Sequence, residues 1–245
     1  MKLGVEMKRE DIYVVLVEPE YEINLGMIAR VMKNFGFERL RLVNPKVEIG
    51  RESLKFAVRA GEILKKAEVF HSLEKAIEDL HVVAGTTAIW ARSKLNLLRV
   101  AVYPWEFTSK IGSFKGRLGI VFGRESVGLR NEELKLCDLV VTIPASSEYP
   151  VLNVSMAVAI ILYEVCKALE GLSDVRGPIK LAPRELREKL VEVFETIVTR
   201  GRLQKHRQRL ALQAFRNLVG RAFISEKEAK VLLNVYYKLI SSMLK

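Results

Sequence analysis

The sequence predicts an α/β fold with a parallel sheet, followed by a small, basic, all-helical module. Short apolar runs rich in β-branched residues recur between residues 12 and 143. Each is continuous rather than alternating, as a strand buried on both faces requires. Helical patterns separate these runs, and that alternation builds parallel sheets. Beyond Pro183 the pattern is helical only.

The predicted strands are Ile12–Val17, Leu40–Val43, Val82–Ala84, Leu118–Phe122 and Leu139–Ile143. Ile23–Phe35 reads as a helix with Ile28, Val31 and Met32 on one side and Gly36 as its stop. Ser53–Lys66 and Ser72–Leu80 read as helices too. Asn153–Leu169 is apolar almost all round, which predicts a helix buried on most sides. The glycines and proline of Gly171–Pro178 mark a linker. Pro183 then suits the first turn of a helix. Gly201 separates it from a second segment, Leu203–Val219, and Ser225 with Glu228 forms a capping-box pattern before a third. The expected organisation is a catalytic domain over 1–170, a linker over 171–182 and a helical extension over 183–245.

The chain has 245 residues, 49% of them hydrophobic, enough for one sizeable core and a smaller module. No run approaches the roughly 18 apolar residues of a membrane span. The first residues, MKLGVEMKRE, carry charge where a secretory signal would be apolar. A cytoplasmic protein with no membrane partner is expected. Cys137 and Cys166 form no CxxC pair, His71, His81 and His206 are scattered, and no metal is expected.

Net charge is +11, and its location is informative. Residues 1–175 hold 24 basic and 23 acidic side chains, whereas residues 176–245 hold 16 and 6. An excess confined to the helical extension points to an anionic partner, nucleic acid first, with a plain solubilising tail as the alternative.

Four turns could carry chemistry. Asn24-Leu-Gly-Met-Ile-Ala-Arg30 follows the first strand and puts Arg30 inside the next helix, where a guanidinium could hold a phosphate or aim at a hydroxyl. It could equally be a surface arginine of an amphipathic helix. Val121-Phe-Gly-Arg-Glu-Ser-Val-Gly-Leu129 has glycines for close backbone approach, but Glu125 stands where a dinucleotide fingerprint has its middle glycine. A carboxylate there repels a pyrophosphate and favours a cationic ligand, which disfavours a nucleotide-dependent oxidoreductase. Ile143-Pro-Ala-Ser-Ser-Glu-Tyr-Pro-Val-Leu-Asn-Val-Ser155 joins a strand to the long apolar helix, with Asn153 as its N-cap. Gly85-Thr86-Thr87-Ala88 offers amides and hydroxyls to a ligand, or is a simple turn.

Taken in order along one chain, these segments resemble the three motifs of the SPOUT RNA ribose methyltransferases of the TrmH-like group. NPK after the second strand, the GTT loop, FGRESVGLRNEEL and IPASSEYPVLNVSMAVAIILYE extend the match. They look most like the branch that methylates tRNA at nucleotide 32 of the anticodon loop. The likeness is strong over about residues 10–170 and looser through RLQKHRQRL and SEKEAKVLL.

The resemblance implies a C-terminal trefoil knot in the catalytic domain, S-adenosylmethionine as methyl donor, tRNA as partner and a homodimer with the site near the subunit interface. Thr86, Thr87, Ala88, Gly123, Ile143, Pro150, Val151 and Leu152 match cofactor-contacting positions. Arg30 matches the residue that activates the ribose 2′-hydroxyl, and Asn24, Glu125 and Asn153 match motif positions around it. Since arginine stays protonated, its expected role is to aim the hydroxyl and stabilise developing oxyanion charge. Arg200, Arg202, Lys205, Arg207, Arg209, Arg216 and Arg221 are the expected phosphate contacts. One departure stands out: Val151 occupies a position that relatives usually fill with serine, so hydroxyl help there must come from Tyr149, Ser155 or water. Methylation of ribosomal RNA or of another tRNA position is a competing reading, and a non-catalytic RNA-binding factor is another.

Overall fold

The computed structural model describes residues 7–88, 100–111, 115–170, 181–201 and 203–243. Arg202 and most of the expected linker lie outside the described residues.

Among the described residues, seven parallel strands form the sheet: β1 (Ile12–Val17), β2 (Arg39–Val43), β3 (Glu68–Phe70), β4 (Val82–Thr86), β5 (Ala101–Val102), β6 (Leu118–Phe122) and β7 (Leu139–Val141). Their spatial order is β3-β2-β1-β6-β4-β7-β5. Two late strands are thus inserted between earlier ones, β6 between β1 and β4, and β7 between β4 and β5.

The continuous apolar runs have the predicted cause. Along β1, Ile12, Val14 and Leu16 enter one core and Tyr13, Val15 and Val17 the other. Burying such side chains contributes roughly 1.5–3 kcal/mol each, so both faces must be covered. On one face lie α1 (Glu22–Phe35), α2 (Arg51–Ala57), α3 (Gly61–Lys65), α5 (Pro104–Ile111) and α7 (Val154–Leu169). The short α4 (Leu73–Ile77) and α6 (Asn131–Lys135) cover the other.

α1 ends at Gly36, which adopts a left-handed conformation with φ +75°. The expected single helix over 53–66 is instead α2 and α3 joined by a 3₁₀ turn, Val58–Ala60. Val58 itself has φ +53°, and the break lets Ala57, Ala60, Ile63 and Leu64 all reach the core. Sequence periodicity missed β3 and β5, edge strands of three and two residues that are only partly covered, and the helices α5 and α6. The last strand stops at Val141, where its edge partner β5 also stops.

The extension forms the three expected helices, α8 (Arg184–Arg200), α9 (Lys205–Ala222) and α10 (Glu226–Ser242), around a core of their own. Pro183 precedes α8, and the Ser225–Glu228 capping box opens α10. Phe194 stacks on Phe215 with ring centroids 4.0 Å apart. This module docks at the amino edge of the sheet. Arg187 reaches Asp138, just ahead of β7, at 2.5 Å, and Asp138 also accepts the Val83 N–H at the start of β4. Gly220 lies so close to the Asp138 backbone that a β-carbon would fall 1.6 Å from its carbonyl oxygen. Lys110, at the end of α5, donates to the Arg221 carbonyl at 2.7 Å.

Candidate functional site

The carboxyl ends of β4, β6 and β7 open into a cavity of about 210 Å³. Parallel α/β sheets commonly bind ligands at this edge, where the strand order reverses. Its walls come from three turns far apart in sequence. Thr86, Thr87 and Ala88 follow β4, residues Gly123–Leu129 follow β6, and Ile143, Pro150, Val151 and Leu152 lie between β7 and α7. Val154, Ala157 and Ile161 of α7 close the apolar side. All eight residues expected to contact a cofactor therefore line one space. Its lining is mostly aliphatic, with threonine hydroxyls and backbone groups at the fringe, a composition that fits a planar nucleoside.

Gly123 is there because nothing larger fits. A β-carbon on it would meet the Gly128 carbonyl carbon at 2.1 Å and the Leu129 nitrogen at 2.2 Å. Gly128 closes the same turn with φ +67° and donates its N–H to the Arg124 carbonyl at 2.9 Å.

Glu125 joins this turn to the β1–α1 turn, which lies outside the cavity lining. Its carboxylate accepts the Glu20 N–H and the Asn24 side-chain amide, each at 2.9 Å. Asn153 donates from Nδ2 to Asn24 Oδ1 at 3.1 Å, while its Oδ1 accepts the Ser155 N–H at 2.8 Å and the Ser155 hydroxyl at 2.7 Å. Asn153 is thus the N-cap of α7, as expected, and also the link between the β7–α7 turn and the start of α1. The Ser155 hydroxyl is buried and engaged by Asn153, and Tyr149 is 80% exposed.

Sequence reasoning passed over Arg124. Although charged, it is almost fully buried, and its guanidinium spans two carboxylates. Nε donates to Glu18 at 2.7 Å, and the two terminal nitrogens donate to Glu133 at 3.0 and 2.8 Å. Hydrogen bonding from Arg124 is the main reason that the Glu18 carboxyl is held at about 2, well below its ordinary range. Glu20, also passed over, ties down Ser126 through its N–H and its hydroxyl. The available signal was the acidic series Glu18, Glu20, Glu22 directly after β1, facing an arginine between Gly123 and Glu125.

Arg30 is not in the cavity. It sits on the exposed side of α1, with no ion pair or hydrogen bond to the described residues. There it shares a helical stripe with Ile23 and Met27, both partly exposed. The neighbouring α7 shows a matching stripe of Met156, Ile160 and Tyr163. Arg200, Lys205, Arg207, Arg209 and Arg216 are exposed as expected, but Arg221 is half-buried against the catalytic domain, donating to the Asn217 carbonyl. Cys137 is buried, which raises its thiol pKa, and His81 accepts the Arg117 N–H within a partly buried site. Among the described residues no group of histidine, cysteine and carboxylate side chains could hold a metal, and no helix is long and apolar enough to cross a membrane.

Comparison with known proteins agrees with this architecture. The chain is 43% identical over 92% of its length to the tRNA (cytidine-2′-O-)-methyltransferase TrmJ of Methanocaldococcus jannaschii, covering 98% of that protein. It is 32% identical to the tRNA (cytidine/uridine-2′-O-)-methyltransferase TrmJ of Pectobacterium atrosepticum, over 96% of this chain and 98% of that one. The crystal structure of TrmJ from Z. mobilis ZM4 superposes with a TM-score of 0.67 at 26% identity, covering 93% and 98% of the two chains. The SpoU rRNA Methylase family matches residues 11–163, and this chain belongs to that family.

Proposed function

We propose that the protein transfers a methyl group from S-adenosylmethionine to a ribose 2′-hydroxyl of tRNA, at nucleotide 32 of the anticodon loop. The observation that carries this reading is the convergence of three turns on one cavity, with Asn24 bridging Glu125 and Asn153, which belong to two of them. The tRNA 2′-O-methyltransferases that resemble the chain over nearly its whole length support the substrate and the reaction.

The cavity suits the cofactor. Aliphatic side chains would enclose its adenosine, and the carboxylate of Glu125 favours the positive charge of a sulfonium over a pyrophosphate. When bound, S-adenosylmethionine supplies an electrophilic methyl group. The task of the protein is then to hold and align the acceptor. Asn24, Asn153 and Glu125 fix the turns after β6 and β7 against the start of α1 before any ligand arrives, which is the preorganisation that catalysis by orientation needs.

We also infer a homodimer formed by the exposed stripes of α1 and α7. Two-fold pairing of one surface with itself would cover Ile23, Met27, Met156, Ile160 and Tyr163 and carry Arg30 toward the partner's cavity. Arg30 would there aim the 2′-hydroxyl or its phosphate and stabilise negative charge developing on the oxygen. The strand insertions that set β6 and β7 between earlier strands support a knotted path. The core shared by α8, α9 and α10 supports reading 183–245 as a tRNA-binding extension joined by a linker over 171–182. A tRNA substrate suits a cytoplasmic location.

Transfer of tritiated methyl groups to unmodified tRNA transcripts, followed by mapping of the labelled nucleotide, tests the proposal. Label on the ribose of nucleotide 32 is expected. Label only in ribosomal RNA would move the substrate, and no transfer to any RNA would overturn the reading.

A further inference from the structure

Just beyond β5, at the same carboxyl edge as the cavity, Tyr103 and Trp105 stack with ring centroids 4.7 Å apart and planes 23° from parallel. Trp105 is 52% exposed. A large aromatic ring left half in water is costly to leave uncovered, and here it is held rigidly. Pro104 begins α5 between the two rings, and Glu106 accepts the Tyr103 N–H at 2.8 Å, fixing the turn. The far side of α5 is buried through Phe107 and Ile111, so the first turn cannot swing away.

The location makes the stack more than a surface aromatic. Val102 pairs with Val141, and the Val102 carbonyl accepts the Thr142 N–H at 3.0 Å. Tyr103 and Thr142 are therefore the next residues in register on two adjacent strands, whose backbones run roughly 5 Å apart, and Ile143 is one residue further on. Ile143 lines the cavity. An acceptor nucleotide presented to the cavity thus has its neighbours within reach of the Tyr103–Trp105 stack. At its other end, α5 is tied through Lys110 to the basic helix α9.

We propose that the Tyr103–Trp105 stack is a platform for an unpaired nucleobase flanking the methylated ribose. This rests on the reading of the cavity as an RNA ribose methylation site. Single-stranded RNA is recognised chiefly by bases splayed onto aromatic rings, and such stacking tolerates any base because each has a π face. The platform selects unpaired loops over duplex, while the cations of the extension, which contact phosphate, do not distinguish them.

Trp90 and Trp105 are the two tryptophans of the chain. In a Trp90→Phe variant, the fluorescence of Trp105 is expected to be quenched by an RNA hairpin with an unpaired loop but not by a blunt duplex of the same length. Equal quenching by both, or none under conditions where the hairpin is bound, overturns the platform. In the full-length protein, Trp105→Ala is expected to raise KM for tRNA by about fivefold to tenfold while leaving kcat and S-adenosylmethionine affinity unchanged, and Trp105→Phe to restore most of the loss. An unchanged KM overturns the proposal, as does a change in solution mass of Trp105→Ala, which would assign the stack to a subunit contact. The wild-type protein separates the two readings. If it methylates tRNA and these variants behave as wild type, only the platform fails. If it transfers no methyl group to any RNA, the underlying reading fails.

Discussion

Asn153 and Asn24, 129 residues apart in sequence, share a hydrogen bond of 3.1 Å that ties the start of α7 to the first turn of α1. The same Asn24 donates to Glu125, so one side-chain amide joins the β1–α1 turn to two of the three turns that line the cavity. Replacing Asn24 with alanine is expected to lower kcat by tenfold or more, with a smaller effect on folding stability. For Asn153→Ala, loss of the helix cap adds about 1 kcal/mol of destabilisation. Turnover measured beside urea unfolding checks both. Turnover that falls only in proportion to the folded fraction would reduce the asparagines to scaffolding.

Arg124 should matter through charge. With two largely buried carboxylates facing it, Arg124→Met would leave Glu133 without its ion pair and Glu18 with only the longer one to Lys46, and is expected to cost about 3 kcal/mol. Chemical denaturation reads this directly. Arg124→Lys keeps the charge but not the fork that bridges both carboxylates, and should fall between the two.

The Glu18 carboxyl predicts an acid limb. Its folded-state pKa is depressed to about 2 from an ordinary 4.5, so its stabilising effect is present above 4.5 and is lost as pH falls toward 2. Melting temperature should decline through that window, and Glu18→Gln should flatten that part of the decline. Parallel profiles for the two proteins would assign the acid limb to other groups.

Sequence alone revealed the sheet interior, the long helices and the three turns, because each is written in contiguous residues. Ile12–Val17 and Val154–Leu169 declare themselves by burial pattern, and Ser225 with Glu228 by a local cap. What stayed hidden depends on residues meeting across the chain. The ion pairs of Arg124 lie 106 residues from Glu18 and 9 from Glu133, and no local spacing announces them. β5 was missed because two half-buried residues give no period to read. Arg30 shows the reverse case. Its helix was placed well, but which side it faces was decided by the packing of α1 against α2 and α7.

The exposure of Arg30 makes a complementation test available. Arg30→Ala should retain S-adenosylmethionine affinity and lose most of its turnover. Gly123→Val, with a side chain where the turn leaves no space, should lose the affinity instead. Co-refolding the two inactive proteins should restore activity if Arg30 serves the partner's cavity, because one site in each mixed pair would be intact. No recovery, with mixed pairs verified by mass, argues that Arg30 acts within its own subunit.

Neutralising exposed cations tests the extension more cleanly than deletion, since removing the docked helices would bare Asp138 and the sheet edge. Arg207→Gln, Arg209→Gln and Arg216→Gln together should weaken tRNA binding and flatten its salt dependence, by roughly 0.7–0.9 in the logarithmic slope for each phosphate that is no longer neutralised. An unchanged slope would remove these side chains from the interface.

The docking of α8 and the carboxyl end of α9 at Asp138 puts them at the amino rim of the sheet, opposite the cavity. Five strand residues, roughly 17 Å, separate that rim from the cavity. If the proposed methylation site and the proposed phosphate grip serve one RNA, the protein works as a caliper: that RNA must be long enough and folded enough to wrap from one rim to the other, and shape becomes a criterion of choice before any base is read.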